Sequence, residues 1–451
     1  MISQNKIDAS FFDQIWDRSH TGSIKYDLRP DGWNPQRADC RYPNDLIPMW
    51  VADMDFKVPP AVEQALIASA SHGIFGYTDT DPAYDEALVN WYQQRMNWTI
   101  SPEWNTKTPG VIFAISAAIR ALTEPGDGVL IFQPVYYPFA KVIPNHNRKL
   151  VVSPLKLTMP AADLPQADCS RQAPARYEMD FEDLERKITE QNVRLVLISS
   201  PHNPVCRVWT REELTMLGEI CLKHDVWIIS DEIHSDLIFD GYRHIPLASI
   251  SEAIADRTIT CTAPSKTFNL AGLQASNIFI SNQEARRKFR RACNLTGYSE
   301  LNTMAVTATR AAYQCGAPWL EALLSYLQEN IKLLEAAFPP VTVINTDDAA
   351  NPAGTANTGI HSASEQVGSR ISLIHPQGTY LMWLDCRAMN RSDEQLADFF
   401  LNKAGLWLHN GSTFGQGGSG FMRMNIACPQ STIKEAISRI QLALSNEDKC
   451  K

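Results

Sequence analysis

The sequence predicts an α/β fold: a mostly parallel central sheet covered by helices, plus a smaller α+β part. Three observations carry this. Short, wholly apolar runs recur, helix-period segments lie between them, and the pattern changes after about residue 315. A strand buried on both faces reads as a continuous apolar run, whereas a strand with one wet face alternates. The runs here are of the first kind, so their sheet needs helices on both sides. At 451 residues the chain also exceeds what one hydrophobic core organises.

Pro59-Pro60 opens a helix whose apolar positions Val62, Leu66 and Ile67 recur at helical spacing. Asp81 followed by Pro82 starts another, because Asp accepts from free N–H groups and Pro needs no donor in the first turn. Leu88, Trp91 and Tyr92 are its inner face. Val111, Ile112, Ile115, Ala118, Ile119 and Leu122 form a third helix, ended by Pro125-Gly126. Residues 129–132 read as a buried strand, and 195–198 and 226–229 as two more. The helix between the last two begins at Thr210 with Glu213 three positions on, a capping box. A further strand is expected near 258–261. Beyond 315 come a helix through Leu320, Leu323, Leu324 and Leu327, a strand at 380–384 and a final helix near 433–444. The expected division is a large unit over 59–314 and a small α+β unit over 315–451, with residues 1–58 packing on the small one. Segments 158–176 and 345–370 lack periodicity and are expected to be surface insertions.

A hydrophobic fraction of 44% with 20% charged residues excludes a disordered or fibrous chain. Lys plus Arg total 41 against 50 acidic residues, a net charge of −9 without blocks of like charge. Neither nucleic acid nor a membrane is therefore expected as a partner. The ten cysteines are scattered with no C-x-x-C pair, so no metal site is expected and the thiols suit a reducing interior. Asp8, Asp13 and Asp17 stand where a signal peptide would be apolar, and the apolar window 110–119 is too short to cross a bilayer. A soluble, cytoplasmic protein is expected.

In an open parallel sheet, ligands bind beyond the carboxyl ends of the strands. After Ile198 comes Ser-Ser-Pro-His-Asn-Pro, which presents the amide of Asn203. After Ile229 comes Ser-Asp-Glu-Ile-His, with the carboxylate of Asp231 at the strand mouth. After Cys261 comes Thr-Ala-Pro-Ser-Lys-Thr-Phe-Asn, with Lys266 near the hydroxyls of Thr262 and Ser265. Taken singly, Lys266 reads as a surface charge, Asp231 as a helix cap and Asn203 as a turn residue. Taken together on one rim, they suit a cofactor needing a ring hydroxyl held, a ring nitrogen kept protonated and an aldehyde captured by an amine. That cofactor is pyridoxal 5′-phosphate.

These three motifs, in this order, resemble fold-type I pyridoxal-phosphate enzymes. More narrowly the chain resembles the MalY/PatB-type cystathionine β-lyases (C–S lyases) of the class I/II aminotransferase superfamily. The likeness runs from about Trp33 to the C-terminus and includes Val-Ala-Asp-Met-Asp-Phe at 51–56, Gly-Ile-Phe-Gly-Tyr at 73–77 and Arg-Met-Asn-Ile-Ala-Cys-Pro at 423–429.

The resemblance implies that Lys266 holds the cofactor and moves the substrate Cα proton, that Asp231 pairs with the ring nitrogen, and that Asn203 binds the ring oxygen. Tyr136 would stack on the ring. Gly110, Val111 and Ile112 would bind the phosphate at a helix start, where free N–H groups face an anion. Ser265 and Thr262 would add hydroxyls, and Tyr77 would reach the phosphate from the partner subunit of a homodimer. His234 stands near the ring, where many aminotransferases carry a tyrosine. Arg423 would clamp the substrate carboxylate with its two-donor fork, beside Ala52 and Asp53. Departures are Val205-Cys206 in place of Thr-Gly, Ala263 in place of a phosphate-binding serine, and Gln274 in place of an arginine. The implied activity is α,β-elimination from a small sulfur amino acid such as cystathionine, within amino-acid metabolism and methionine biosynthesis. The alternatives are an aminotransferase and a non-catalytic regulatory protein on the same scaffold. The run Gly-Gln-Gly-Gly-Ser-Gly at 415–420 precedes a strand instead of following one, so it reads as a flexible loop and not a dinucleotide site.

Overall fold

The computed structural model describes residues 7–29, 32–33, 45–158, 174–340 and 370–449. Apart from their margins, the insertions expected at 158–176 and 345–370 lie outside the described residues.

Among the described residues a seven-stranded sheet is built from β1 (Asn105–Thr108), β2 (Gly128–Ile131), β3 (Lys149–Val152), β4 (Val193–Ser199), β5 (Trp227–Asp231), β6 (Thr258–Thr262) and β7 (Ser276–Phe279). Its order is β3-β2-β4-β5-β6-β7-β1. The block from β3 to β6 is parallel, while β7 runs antiparallel to both β6 and β1. Alternate residues of the buried strands face opposite layers, as the apolar runs require. Val129, Leu195, Leu197 and Ile229 pack with Ile115 and Ile119 of α1 (Val111–Leu122). Leu130, Val196, Ile198 and Ile228 pack on the other side with Leu214 and Leu217 of α2 (Arg211–Lys223). Burying each such side chain contributes roughly 1.5–3 kcal/mol. The capping box at Thr210 and Glu213 is formed.

Strands β7 and β1 are not legible as apolar runs, because they carry polar side chains that pair in part with one another, while Asn105 Oδ1 and Asn277 Nδ2 stay without a partner. Asn277 accepts from Tyr84 at 2.9 Å and from the Asn105 amide at 3.1 Å, and the Thr108 and Ser276 hydroxyls lie 2.6 Å apart. Polar side chains paired in this way are tolerated in a buried edge.

A second sheet, antiparallel throughout, consists of β8 (Ser372–Leu373), β9 (Leu381–Asp385), β10 (His409–Asn410) and β11 (Phe421–Asn425) in the order β8-β9-β11-β10. The helices Ala317–Ala337 and Gln430–Lys449 accompany it. Ile47–Pro48 pairs in parallel with Leu406–Trp407, so the N-terminal segment adds backbone pairing to the C-terminal part. The chain then runs through residues 51–56 toward the larger sheet.

The 415–420 segment differs from the expected flexible loop. The Gln416 N–H donates to Gln133 Oε1 at 2.8 Å and the Gly420 N–H to Asp393 at 2.9 Å. A Cβ at Gly415 would overlap the Gln133 side chain. The glycines let this turn lie close against residues 133–135, where Val135 N–H donates to Phe414 O at 3.0 Å. Among the described residues no helix is long and apolar enough to cross a membrane, and no group of His, Cys, Asp or Glu side chains could hold a metal ion.

Candidate active site

The parallel register aligns three strand ends: Asp231 of β5 pairs with Ser199 of β4 on one side and with Cys261 of β6 on the other. The residues that follow these ends therefore meet over one edge of the sheet. A cavity of about 150 Å³ opens there. Ala52, Gly110, Val111, Ile112, Tyr136, Asn203, Asp231, His234, Ser265 and Lys266 all line it.

Lys266 sits on the short helix Pro264–Thr267 directly after β6, and its Nζ donates to Ala52 O at 2.6 Å. Burial lowers its amine to about 8; Asp53 and Asp231 oppose that shift and Arg423 adds to it. A fraction of such an amine is unprotonated near neutral pH, which is the form that attacks a carbonyl. The Asp231 carboxylate accepts one hydrogen bond, from Ile233 N–H at 3.2 Å, and burial pushes it up to about 7. Among the described residues it has no cation within ion-pair distance. His234 is buried beside it with Nδ1 unpartnered; burial, then Lys266 and Arg423, hold the imidazole well below its usual range, hence neutral.

Asn203 is tied from both sides. Its carbonyl accepts from Tyr136 N–H at 3.0 Å, and its side-chain oxygen accepts from Arg423 Nη1 at 3.0 Å. Gly110 precedes α1 with φ +145°, a region that disfavours a side chain, so the first N–H groups of the helix reach the cavity unencumbered. A site with an available amine, an unpaired buried acid, an amide donor and a helix N-terminus can hold an anionic nitrogen heterocycle that carries an aldehyde.

The model of the family described as aminotransferase class I and II matches residues 44–440. The chain belongs to the class I and II aminotransferase family. Cystathionine beta-lyase PatB of Bacillus subtilis is 39% identical over 434 residues, covering 96% of this chain and 100% of that protein. Protein MalY of Escherichia coli is 30% identical, covering 95% and 97%. Cystalysin from Treponema denticola, whose crystal structure contains pyridoxal 5′-phosphate, superposes with a TM-score of 0.82 at 34% identity over 97% of this chain and 99% of that one. The fold-type I architecture and the MalY/PatB resemblance expected from the sequence are both borne out.

Four residues singled out from the sequence are not in the cavity wall of this family member. Arg423, on β11, lies behind Asn203: it is buried, Nη2 donates to Trp50 O at 2.9 Å, and Nε has no partner. Burial lowers it to about 10, with Tyr136, Tyr137 and Tyr380 opposing. Asp53 points away into ion pairs with Arg18 at 2.7 Å and Lys25 at 3.7 Å. Thr262 is a correction. Its hydroxyl donates to Asn277 O at 2.9 Å and accepts from Tyr92 at 2.7 Å, so it braces β6 against β7 and is committed away from any phosphate. Tyr77 is fully exposed, in a surface hollow with Phe75 and Leu301. The cavity also includes Pro109, Ser199, Ile233, Ala271, Gln274 and Ala275. Of these, only Gln274 stood out in the sequence; the others carry no reactive signature, and their proximity to the strand ends is the one signal that could have found them.

Proposed function

We propose that this chain is a pyridoxal-phosphate-dependent C–S lyase that converts cystathionine or a related cysteine S-conjugate, with water, to a thiol, pyruvate and ammonia. The carrying observation is that the Lys266 amine, the Asp231 carboxyl and the Asn203 amide line one cavity at the ends of three strands. The extent of the likeness to a protein named cystathionine beta-lyase supports the lyase reading over the aminotransferase one.

Pyridoxal 5′-phosphate fits these residues on one ground above all. A buried carboxyl without a cation is costly, and a protonated ring nitrogen supplies the missing charge. When bound, the cofactor supplies an electron sink for the pair left on the substrate Cα. Lys266 Nζ would hold the cofactor and, as a free amine, would move the substrate Cα proton. Asp231 would keep the ring nitrogen protonated. Asn203 Nδ2 would serve the ring oxygen, and Tyr136 would lie by the ring. Backbone N–H groups at 110–112 and the Ser265 hydroxyl would bind the phosphate. Arg423 would receive the substrate carboxylate beside Ala52, with Asp53 held away in its ion pairs, and neutral His234 would add no charge beside the ring. Tyr77 completes the phosphate site of a second copy, which accounts for its exposure on one chain. The working form is then a cytoplasmic homodimer. Each chain divides into a large unit at 59–314 and a small one at 315–451, which residues 1–58 join. Release of homocysteine from cystathionine would place the reaction in methionine biosynthesis.

Purified protein incubated with cystathionine should release pyruvate and free thiol in equal amounts. Conversion of an added keto acid to its amino acid, without pyruvate or thiol from cystathionine, would establish the aminotransferase instead.

A further inference from the structure

Residues 51–56 run past the cavity without regular secondary structure, and their carbonyls are taken up by side chains from distant segments. Ala52 O accepts from Lys266 and from Tyr380 at 3.0 Å, and Asn425 Nδ2 donates to the carbonyls of Val51 and Asp53, each at 2.6 Å. The two carboxylates of the segment meet two cations from the N-terminus. Arg18 bonds Asp53 and Asp55, each at 2.7 Å, and also donates to Met54 O at 3.2 Å. Lys25 bonds Asp55 at 2.8 Å with its side chain 1% exposed. The loop that presents Arg18 is itself pinned, because the Asp27 carboxylate accepts from the N–H groups of His20, Gly22 and Ser23.

This is a closed arrangement of two cations on two anions, one residue from the carbonyl that holds the Lys266 amine. Charged groups acting on that amine are Asp53, Asp231 and Arg423; the neutral Tyr380 and His234 also pack there. Of these, Asp53 alone is paired with cations outside the cavity, closely with Arg18 at 2.7 Å and more distantly with Lys25 at 3.7 Å. In a partly buried setting a carboxylate without its counter-ion acts strongly on a nearby amine.

We infer that Arg18 is a positioning residue for Lys266: it braces residues 51–56 and offsets the charge of Asp53, so the N-terminal segment sets both the place of the amine and the field around it. The inference rests on the reading of Lys266 as the cofactor-holding amine. Removing the Arg18 charge leaves Asp53 with only the more distant Lys25 and favours a protonated Lys266; removing the Asp53 charge does the opposite. A purely mechanical brace would not produce shifts of opposite sign.

The test uses full-length Arg18→Gln, Arg18→Lys and Asp53→Asn proteins. The pH dependence of Lys266 acetylation by acetic anhydride is followed by peptide mass spectrometry on cofactor-stripped protein. The pH midpoint of the visible spectrum is measured on cofactor-loaded protein. Both midpoints should rise by roughly half a unit or more in Arg18→Gln, fall in Asp53→Asn and return close to wild type in Arg18→Lys. Unmoved midpoints, or shifts of the same sign in Arg18→Gln and Asp53→Asn, overturn the inference. Should Arg18→Gln not fold, Asp53→Asn decides alone, and an unmoved midpoint counts against the inference. The acetylation readout is independent of the reaction catalysed. Shifts as expected without pyruvate from cystathionine would reject the lyase reading and keep the clasp; pyruvate with unmoved midpoints would do the reverse.

Discussion

Arg423 Nη1 and Asn203 Oδ1 are joined by a 3.0 Å hydrogen bond across 220 residues of sequence. A guanidinium can only donate, so the Asn203 oxygen must face it and the Nδ2 group is left as the donor for the cavity. One arginine thereby fixes the orientation of an amide in the turn that follows a strand of the other sheet.

Replacing Arg423 with Lys should therefore do two things. The loss of the planar fork should lower kcat/KM for cystathionine by about 100-fold or more. The freed Asn203 amide should also shift the visible spectrum of the loaded protein. Steady-state kinetics and absorption spectra together check this, and an unchanged spectrum would show that Arg423 does not orient Asn203.

Asp231→Asn should stabilise the cofactor-free protein while abolishing activity. The folded carboxyl titrates near 7, above its ordinary 3.8, so the folded state holds its proton more tightly than the unfolded state. Stability contributed by this group is then highest below pH 4 and falls as pH rises toward 7. An asparagine removes that loss, a gain of roughly 2–4 kcal/mol above pH 7 that shrinks toward pH 4. Denaturant melts of cofactor-stripped protein at pH 4.5 and pH 8 measure it.

Gly110→Ala should weaken cofactor binding more than it perturbs the core. Among the described residues no atom beyond the chain neighbours lies within 4 Å of the added Cβ, so the cost is backbone strain at φ +145°, about 1–3 kcal/mol. Because that strain displaces the N–H groups at the start of α1, titration with pyridoxal 5′-phosphate should show about a tenfold weaker affinity.

Mixing Tyr77→Ala with Lys266→Ala subunits should restore activity to two inactive preparations. Each mixed dimer would contain one site with both native residues, giving about a quarter of wild-type turnover after random exchange. Continued inactivity after demonstrated subunit exchange would place Tyr77 outside the partner's site.

Asn203, Asp231 and Lys266 were legible because each follows an apolar run, and a parallel sheet brings strand ends together. Gly110 was legible because a glycine precedes an apolar helix. The reach of a side chain was not. Thr262 stands four residues before Lys266 yet turns to Tyr92, and the glycine-rich 415–420 turn is held by Gln133, far off in sequence. Nor did anything near Arg18 announce Asp53, 35 residues on.

The layered α/β fold, the family and the order in which amide, acid and amine meet the sheet edge could be read from residues alone, because periodicity and strand-end position are local properties of the chain. That Arg423 locks Asn203, that Thr262 belongs to the sheet and that the N-terminal cations clasp residues 51–56 emerged with the folded chain. Those are contacts between distant segments, and their geometry exists only once the two sheets and the strand at 47–48 have been assembled.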